Sequence, residues 1–200
     1  MQLSWYNCYS MIIKGDEDLR VQRTIGAIKD AFYELILETD YSHITVTEVC
    51  RRAKINKKTF YYYYPTLDLL LREIQVEYSN KYIERVKDYR LPDEIEKANR
   101  EFFVFSEEQG PAYEKISCSG DYGTVRAEMI QRVMDNTWRK TEKFNELSPL
   151  MQDVIVGFLT SVCASTYREW VEDGKKVPLD EIVETSNKLI KSGLDGFFAE

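Results

Sequence analysis

Apolar residues recur along this chain with the 3.6-residue period of a helix, and no segment alternates with the two-residue period of a strand. Residues 19–38 place Ile25, Ile28, Phe32, Leu35 and Ile36 on one face, and the polar run TDYSH ends that helix. A second helix opens on Thr45, with Glu48 completing a capping box and Ile44 and Val49 at the spacing of a hydrophobic staple. Val46, Val49, Cys50 and Ala53 form its apolar face, and Lys54-Ile55-Asn56 forms a turn. Asn56 caps a short helix over 57–63, which stops because Pro65 disfavours a helical backbone at Tyr64. Thr66 caps a long helix over 67–89 with Leu70, Leu71, Ile74 and Tyr78 inward. The same period predicts helices over 93–108, 111–117, 121–143, 149–173 and 179–198. The expected fold class is all-α, with about nine helices.

Composition narrows the picture. Two hundred residues, 44% of them apolar, suffice for one or two domains with a core. No apolar run approaches the ~18–20 residues of a membrane span. The opening MQLSWYNCYSMII lacks the basic start and small-residue cleavage site of a secretory signal. A cytoplasmic chain without a membrane partner is expected. Residues 1–18 have weak periodicity and read as an N-terminal arm without stable order, with Met11 as an alternative start. Cys8, Cys50, Cys118 and Cys163 form no CxxC pair, which favours reduced thiols. With His43 as the only histidine, neither a metal site nor a cofactor is expected. Nor is an enzyme expected. There is no phosphate-cradling glycine motif and no Ser-His-Asp set, and Glu107 and Glu108 are adjacent on a helix, where side chains point apart.

Charge is unevenly placed. Residues 20–87 hold 12 Lys and Arg against 9 Asp and Glu, whereas residues 88–200 hold 14 against 22. Arg51, Arg52, Lys54, Lys57 and Lys58 are the only charged residues between 49 and 67. An acidic chain has thus concentrated its positive charge at one turn, and a polyanion is the matching partner. The seven-residue helix over 57–63 cannot stand alone. If Phe60 and Tyr64 hold it from behind, Lys57, Lys58, Thr59, Tyr61, Tyr62 and Tyr63 face outward. Lysine supplies salt-sensitive attraction to phosphate. Thr and Tyr hydroxyls donate to phosphate oxygens, and their apolar parts meet thymine methyls. Such a helix suits the major groove of double-stranded DNA. The competing reading is a solvated basic turn beside an aromatic core.

The stretches ITVTEVCRRA, NKKTFYYYY and LDLLL together resemble the TetR family of bacterial transcription regulators over about residues 20–75. The resemblance implies a helix-turn-helix DNA-binding domain over 19–66, a linking helix over 67–89, and a regulatory and dimerisation domain over 90–200. It implies that Thr45 and Thr47 lie near phosphate or groove, that Tyr61 contacts phosphate, and that Tyr62 and Tyr63 lie nearer the bases. Two positions depart from the family pattern. Lys54 stands where the turn usually has Gly, and Leu67 stands where the fourth helix often starts with Lys, so one phosphate contact is either missing or replaced by the Thr66 hydroxyl. The segments FFVFSEEQ, VIVGFLTSVCASTYREWVEDG and LDEIVETSNKL resemble the C-terminal domain of Firmicutes members, a subgroup that includes regulators of dihydroxyacetone kinase operons.

Two strongly apolar C-terminal helices need a cover. In the family they pair with their copies, and Phe158, Val162, Thr166, Ile182, Ser186, Leu189 and Ile190 are the candidates for that homodimer seam; the alternative is that the two helices pack inside one subunit. Family members often bind an inducer between the two parts, and Phe102, Phe103, Phe105, Tyr113, Tyr122, Trp138, Phe158 and Tyr167 are the candidates for lining such a small-molecule effector pocket, the alternative for each being ordinary core. The resulting expectation is a ligand-responsive repressor reading a near-palindromic operator. The alternative is an interaction protein that partners another regulator without touching DNA.

Overall fold

The computed structural model describes residues 16–198. Most of the expected arm, and Cys8 with it, lies outside the described residues, while residues 16–18 form the first turn of α1 (Asp16–Glu38). A single 3-10 turn (Tyr41–His43) leads to α2 (Val46–Arg52), α3 (Lys57–Tyr63) and α4 (Leu67–Val86).

The starts of α2, α3 and α4 are fixed by side chains that satisfy otherwise orphaned N–H groups. Thr45 Oγ1 accepts from the Glu48 N–H at 3.2 Å, Asn56 Oδ1 from Thr59 at 2.8 Å, and Thr66 Oγ1 from Leu69 at 3.2 Å. Each such cap is worth about 1 kcal/mol. The capping box at Thr45 closes only halfway, because the Glu48 carboxylate turns to Arg51 and Arg52.

The C-terminal block comprises α5 (Ile95–Glu108), α6 (Pro111–Cys118), α7 (Gly123–Asn136), α8 (Glu142–Asn145), α9 (Pro149–Glu172) and α10 (Leu179–Phe198). The ten α-helices occur with no strand among the described residues. The single helix expected over 121–143 is broken. A 3-10 turn at Gly120–Tyr122 precedes α7, and a second at Trp138–Lys140 separates α7 from α8. At the break Thr137 leaves helical geometry (φ −120, ψ −84), and Trp138 turns inward against Phe144. Thr137 Oγ1 and Asn136 Nδ2 donate back to the carbonyls of Val133 and Arg132, which relieves the end of α7.

Three apolar clusters hold the chain together. The first packs Ile28, Phe32 and Ile36 of α1 with Val49, Phe60, Leu70, Leu71 and Ile74, and continues into Tyr113 and Ile116 of α6. The second joins Val86, Trp138, Phe144, Ile155, Leu159, Ile190 and Leu194. The third joins Phe103, Tyr167, Trp170 and Val183. Between them, Asn99 donates to Asn187 at 2.8 Å and accepts from Cys163 Sγ at 3.1 Å and Ser186 Oγ at 3.4 Å. This buried network fixes α5 against α9 and α10, because each unpaired member would carry a desolvation cost.

Helix α9 is long and apolar enough, by length and composition, to cross a membrane, although Ser, Thr and Gly interrupt its apolar residues. Its inner face is committed to the bundle through Ile155, Leu159, Tyr167 and Trp170. Its outer face leaves Leu150 and Val154 exposed.

Candidate nucleic-acid interface and effector cavity

Helix α3 is held from behind, as its short length requires. Phe60 has no exposed surface and Tyr64 is 3% exposed, both within the core shared by α1, α2 and α4. Burying a Phe side chain is worth about 1.5–3 kcal/mol. The Tyr64 hydroxyl donates to Glu73 Oε1 on α4 at 2.9 Å. Glu73 and Glu77 in turn flank Lys29 of α1 at 2.8 and 2.5 Å. Burial, and then the Glu73 charge, push the Tyr64 phenol well above its ordinary range, so it stays a donor.

The turn before α3 closes with Ile55 N–H donating to the Cys50 carbonyl at 3.0 Å. Lys54 occupies the left-handed region there, at φ 54. For a non-glycine residue that costs about 1 kcal/mol. Lys54 thus takes the left-handed backbone that glycine adopts most readily.

The five cations are not equivalent. Arg51 is bound by Glu48 at 2.6 Å. Arg52 reaches Glu38 in a bidentate pair, with Glu34 at 3.5 Å and Glu48 at 3.2 Å, and ties α2 to α1. The Arg51 hydrogen bond, followed by that of Arg52, draws the Glu48 carboxyl down to about 2. Lys54, Lys57 and Lys58 are exposed, and no ion pair engages them among the described residues. Three lysines are unpaired among the described residues, and Arg51, though paired with Glu48, keeps its side chain 67% exposed.

Around them Thr45, Thr47 and Thr66 are exposed, and Tyr61 and Tyr62 are 51% and 75% exposed. Tyr63 is half-buried and supports Tyr62 edge-on, with ring centroids 5.0 Å apart. Thr59 is also half-buried, and its hydroxyl donates to Asn56 Oδ1 at 3.1 Å, so it serves the cap. All nine predicted positions thus cluster at the ends of α2 and α4 and along α3.

A cavity of about 120 Å³ lies between α4, α5, α6, α7 and α9. Of the eight predicted aromatics, Phe102, Phe105, Tyr113, Trp138 and Tyr167 line it. The other three do not. Phe103 is fully buried in the cluster with Trp170, and Tyr122 is fully buried beside Tyr41. Phe158 faces outward, 37% exposed, with its ring against Gly193. Sequence reasoning missed Tyr78 and Tyr82, one turn apart on α4, and Arg126 on α7. The four-residue spacing of the two tyrosines was the available signal, whereas Arg126 reads as an ordinary surface charge.

Of the predicted seam residues, Phe158 and Leu189 are exposed, and Val162, Thr166 and Ile182 are half-buried. Ser186 and Ile190 have no exposed surface. They belong to the subunit's own core, Ser186 through Asn99 and Ile190 through Leu159 and its neighbours, and are not available to a seam. The exposed face instead runs along Leu150, Val154, Gly157, Phe158, Ser161 and Ser165 of α9 and Thr185, Leu189, Ser192, Gly193 and Gly196 of α10. None of these eleven residues is charged, and the exposed Asp153, Glu184, Lys188 and Lys191 lie beside them along the two helices.

The class defined by this geometry is an all-α fold: a capped helix-turn-helix mounted on a long linking helix, joined to a helical body with an internal cavity. Residues 121–192 match the TetR-type family described as “Transcriptional regulator C-terminal region”. A TetR transcriptional regulator from Streptococcus agalactiae shares the fold with a TM-score of 0.65 at 20% identity, over 87% of this chain and 97% of its own. The fatty acid degradation regulator FadR from Bacillus halodurans gives 0.62 at 16% identity, over 92% and 98%. The dihydroxyacetone kinase operon activator DhaS gives 0.53 at 19% identity, over 85% and 95%. No curated protein sequence matches the chain. The C-terminal match spans residues 121–192, less than half of the chain, and the solved neighbours, at 20% identity or below, share its fold.

Proposed function

We propose that this protein is a cytoplasmic DNA-binding transcriptional regulator, a homodimeric repressor that releases a near-palindromic operator when a small molecule occupies its cavity. The observation that carries the reading is the exposure of Lys57, Lys58, Tyr61 and Tyr62 on a helix that Phe60 and Tyr64 pin from behind. In this reading Tyr62 reaches base edges, with Tyr63 behind it. Lys57, Lys58 and Tyr61 meet phosphates, joined by the hydroxyls of Thr45, Thr47 and Thr66.

The uncharged face of α9 and α10 supplies the dimer contact. Two copies of α3 about one DNA turn apart then read the two half-sites together. A single seven-residue helix buries too little surface for specific binding.

Helix α4 carries the signal. Its Tyr78, Ser79, Tyr82 and Val86 line the cavity, and its Glu73 holds Tyr64. Helix α7 lies across the same cavity, tied to α4 by Arg72–Glu128 at 2.9 Å and Arg132–Asn80 at 2.8 Å. A ligand that fits only one spacing of α4 and α7 shifts the population of head arrangements.

The test is a salt-titrated gel shift on the gene's own upstream region. Specific binding that weakens as salt rises is expected. Absence of specific binding by folded dimer would favour the interaction-protein reading instead.

A further inference from the structure

The proposed effector site has a chemistry of its own. With the cavity read as that site, we propose that the effector is a small amphipathic carboxylate: one anionic head on a body of chain or ring carbon.

Most polar groups on the cavity wall already have partners. Tyr82 donates to the Ala98 carbonyl at 3.0 Å, Ser79 to Gln75 at 2.8 Å, Thr160 to Val156 at 2.7 Å and Thr137 to Val133 at 2.8 Å. The Asn99 amide and the Cys163 thiol satisfy the network that joins α5 to α9 and α10. Three groups are left open. Tyr167 is 1% exposed, and among the described residues neither its hydroxyl nor that of Ser117 has a hydrogen-bond partner. Arg126 places Nη1 on the carbonyls of Ser117 at 2.8 Å and Ser119 at 3.0 Å, and among the described residues no carboxylate pairs with it.

These groups meet beside the C-terminal end of α6. Ser117 and the two carbonyls that hold Arg126 flank Cys118, and Cys118 packs on the cluster containing Tyr167. Elsewhere the wall is hydrocarbon and indole: Val86, Leu91, Ile95, Trp138 and Leu159. A cation and free hydroxyls together in an apolar chamber complement an anion with an apolar body. A cationic ligand would set its charge against Arg126, with hydroxyl oxygens as the acceptors left to it.

Size limits the body. A volume of about 120 Å³ is small beside the ~300–1,000 Å³ of pockets that take drug-sized ligands, which favours a medium alkyl chain or a single ring with a short arm.

The test is isothermal titration of the full chain with octanoate, 4-phenylbutanoate, octan-1-ol and octylamine. At least one carboxylate is expected to bind about tenfold or more tighter than the alcohol and the amine, and the better of the two tells chain from ring. Arg126→Met is expected to erase that margin, bringing carboxylate and alcohol within about twofold. Because Arg126 also ends α6, Tyr167→Phe provides a second reading and is expected to weaken the carboxylate about threefold while leaving the alcohol unchanged. Equal affinity of octanoate and octan-1-ol overturns the proposal. So does failure of both carboxylates to bind a protein that circular dichroism shows to be folded. A gel shift on the same preparation separates this from the regulator reading. Specific DNA binding with no carboxylate preference overturns the ligand class alone. Carboxylate-selective binding without specific DNA binding supports the ligand class and overturns the regulator.

Discussion

The Tyr64 hydroxyl reaches Glu73 Oε1 at 2.9 Å, and through this bond the C-terminal end of α3 is fastened to α4. Glu73 is also paired with Lys29 at 2.8 Å, so the orientation of α3 depends on three helices at once. Removing the hydroxyl leaves the Tyr64 ring packed and Glu73 still paired. Tyr64→Phe is therefore expected to cost about 1 kcal/mol in urea unfolding. Phe60→Ala, which empties a fully buried site, is expected to cost about 3–5 kcal/mol. Equal costs for the two would mean that the bond to Glu73, rather than the core, holds α3.

A second prediction concerns pH. The Glu48 carboxyl is drawn down to about 2 by Arg51 and Arg52, and that of Glu38 is lowered by Arg52. An unfolded glutamate titrates near ~4.3. A carboxylate whose folded value is depressed stabilises the fold above the unfolded value, and that contribution fades as pH falls toward the folded one. Wild type is thus expected to exceed Glu48→Gln in stability at pH 6, with the gap narrowing between about pH 4.5 and pH 2. Glu38 is exposed and Glu48 half-buried, both within reach of solvent, so the gap is small and shrinks further in high salt. A gap that stays constant across that range in urea titrations would show that the arginine pairs do not anchor α2.

The parts legible in the sequence are those written over three or four residues. Thr45, Asn56 and Thr66 each bond an N–H three positions on, so local pattern sufficed to start α2, α3 and α4. Pairings across the chain left no such mark. The acids that occupy Arg52 include Glu38, 14 residues upstream, so a cluster of five cations was read where three are unpaired among the described residues. Ser186 and Ile190 followed the apolar period of an exposed seam, but Ser186 bonds to Asn99, 87 residues away. The break at Thr137 has no Gly or Pro to announce it and depends on burying Trp138. The cavity is a space left by five helices, so the sequence offered aromatic candidates without showing which of them face it.

A third prediction addresses assembly. A methyl added at Gly193 would lie 2.4 Å from Phe158 Cζ and 2.8 Å from its Cε1, so the ring must swing away. If the uncharged face of α9 and α10 is the dimer contact, Gly193→Ala is expected to raise the dimer dissociation constant about tenfold in sedimentation equilibrium. In a Phe158→Ala background the same change has no ring to displace and is expected to be nearly neutral, a non-additivity of about 1.4 kcal/mol. Additive effects of the two substitutions would disconnect the pair from assembly.

The most direct measurement is the salt dependence of operator binding by wild type, Lys57→Ala and Tyr62→Ala, followed by gel shift or fluorescence anisotropy. Lys57→Ala is expected to weaken specific and non-specific DNA alike and to flatten the slope of log K against log salt by about 2, roughly one phosphate in each half-site. Tyr62→Ala is expected to remove about 1–3 kcal/mol of preference for operator over random DNA in each half-site while leaving the slope unchanged. Operator binding that keeps its full slope and its full preference in both variants would contradict the assignment of α3 as the surface that meets DNA.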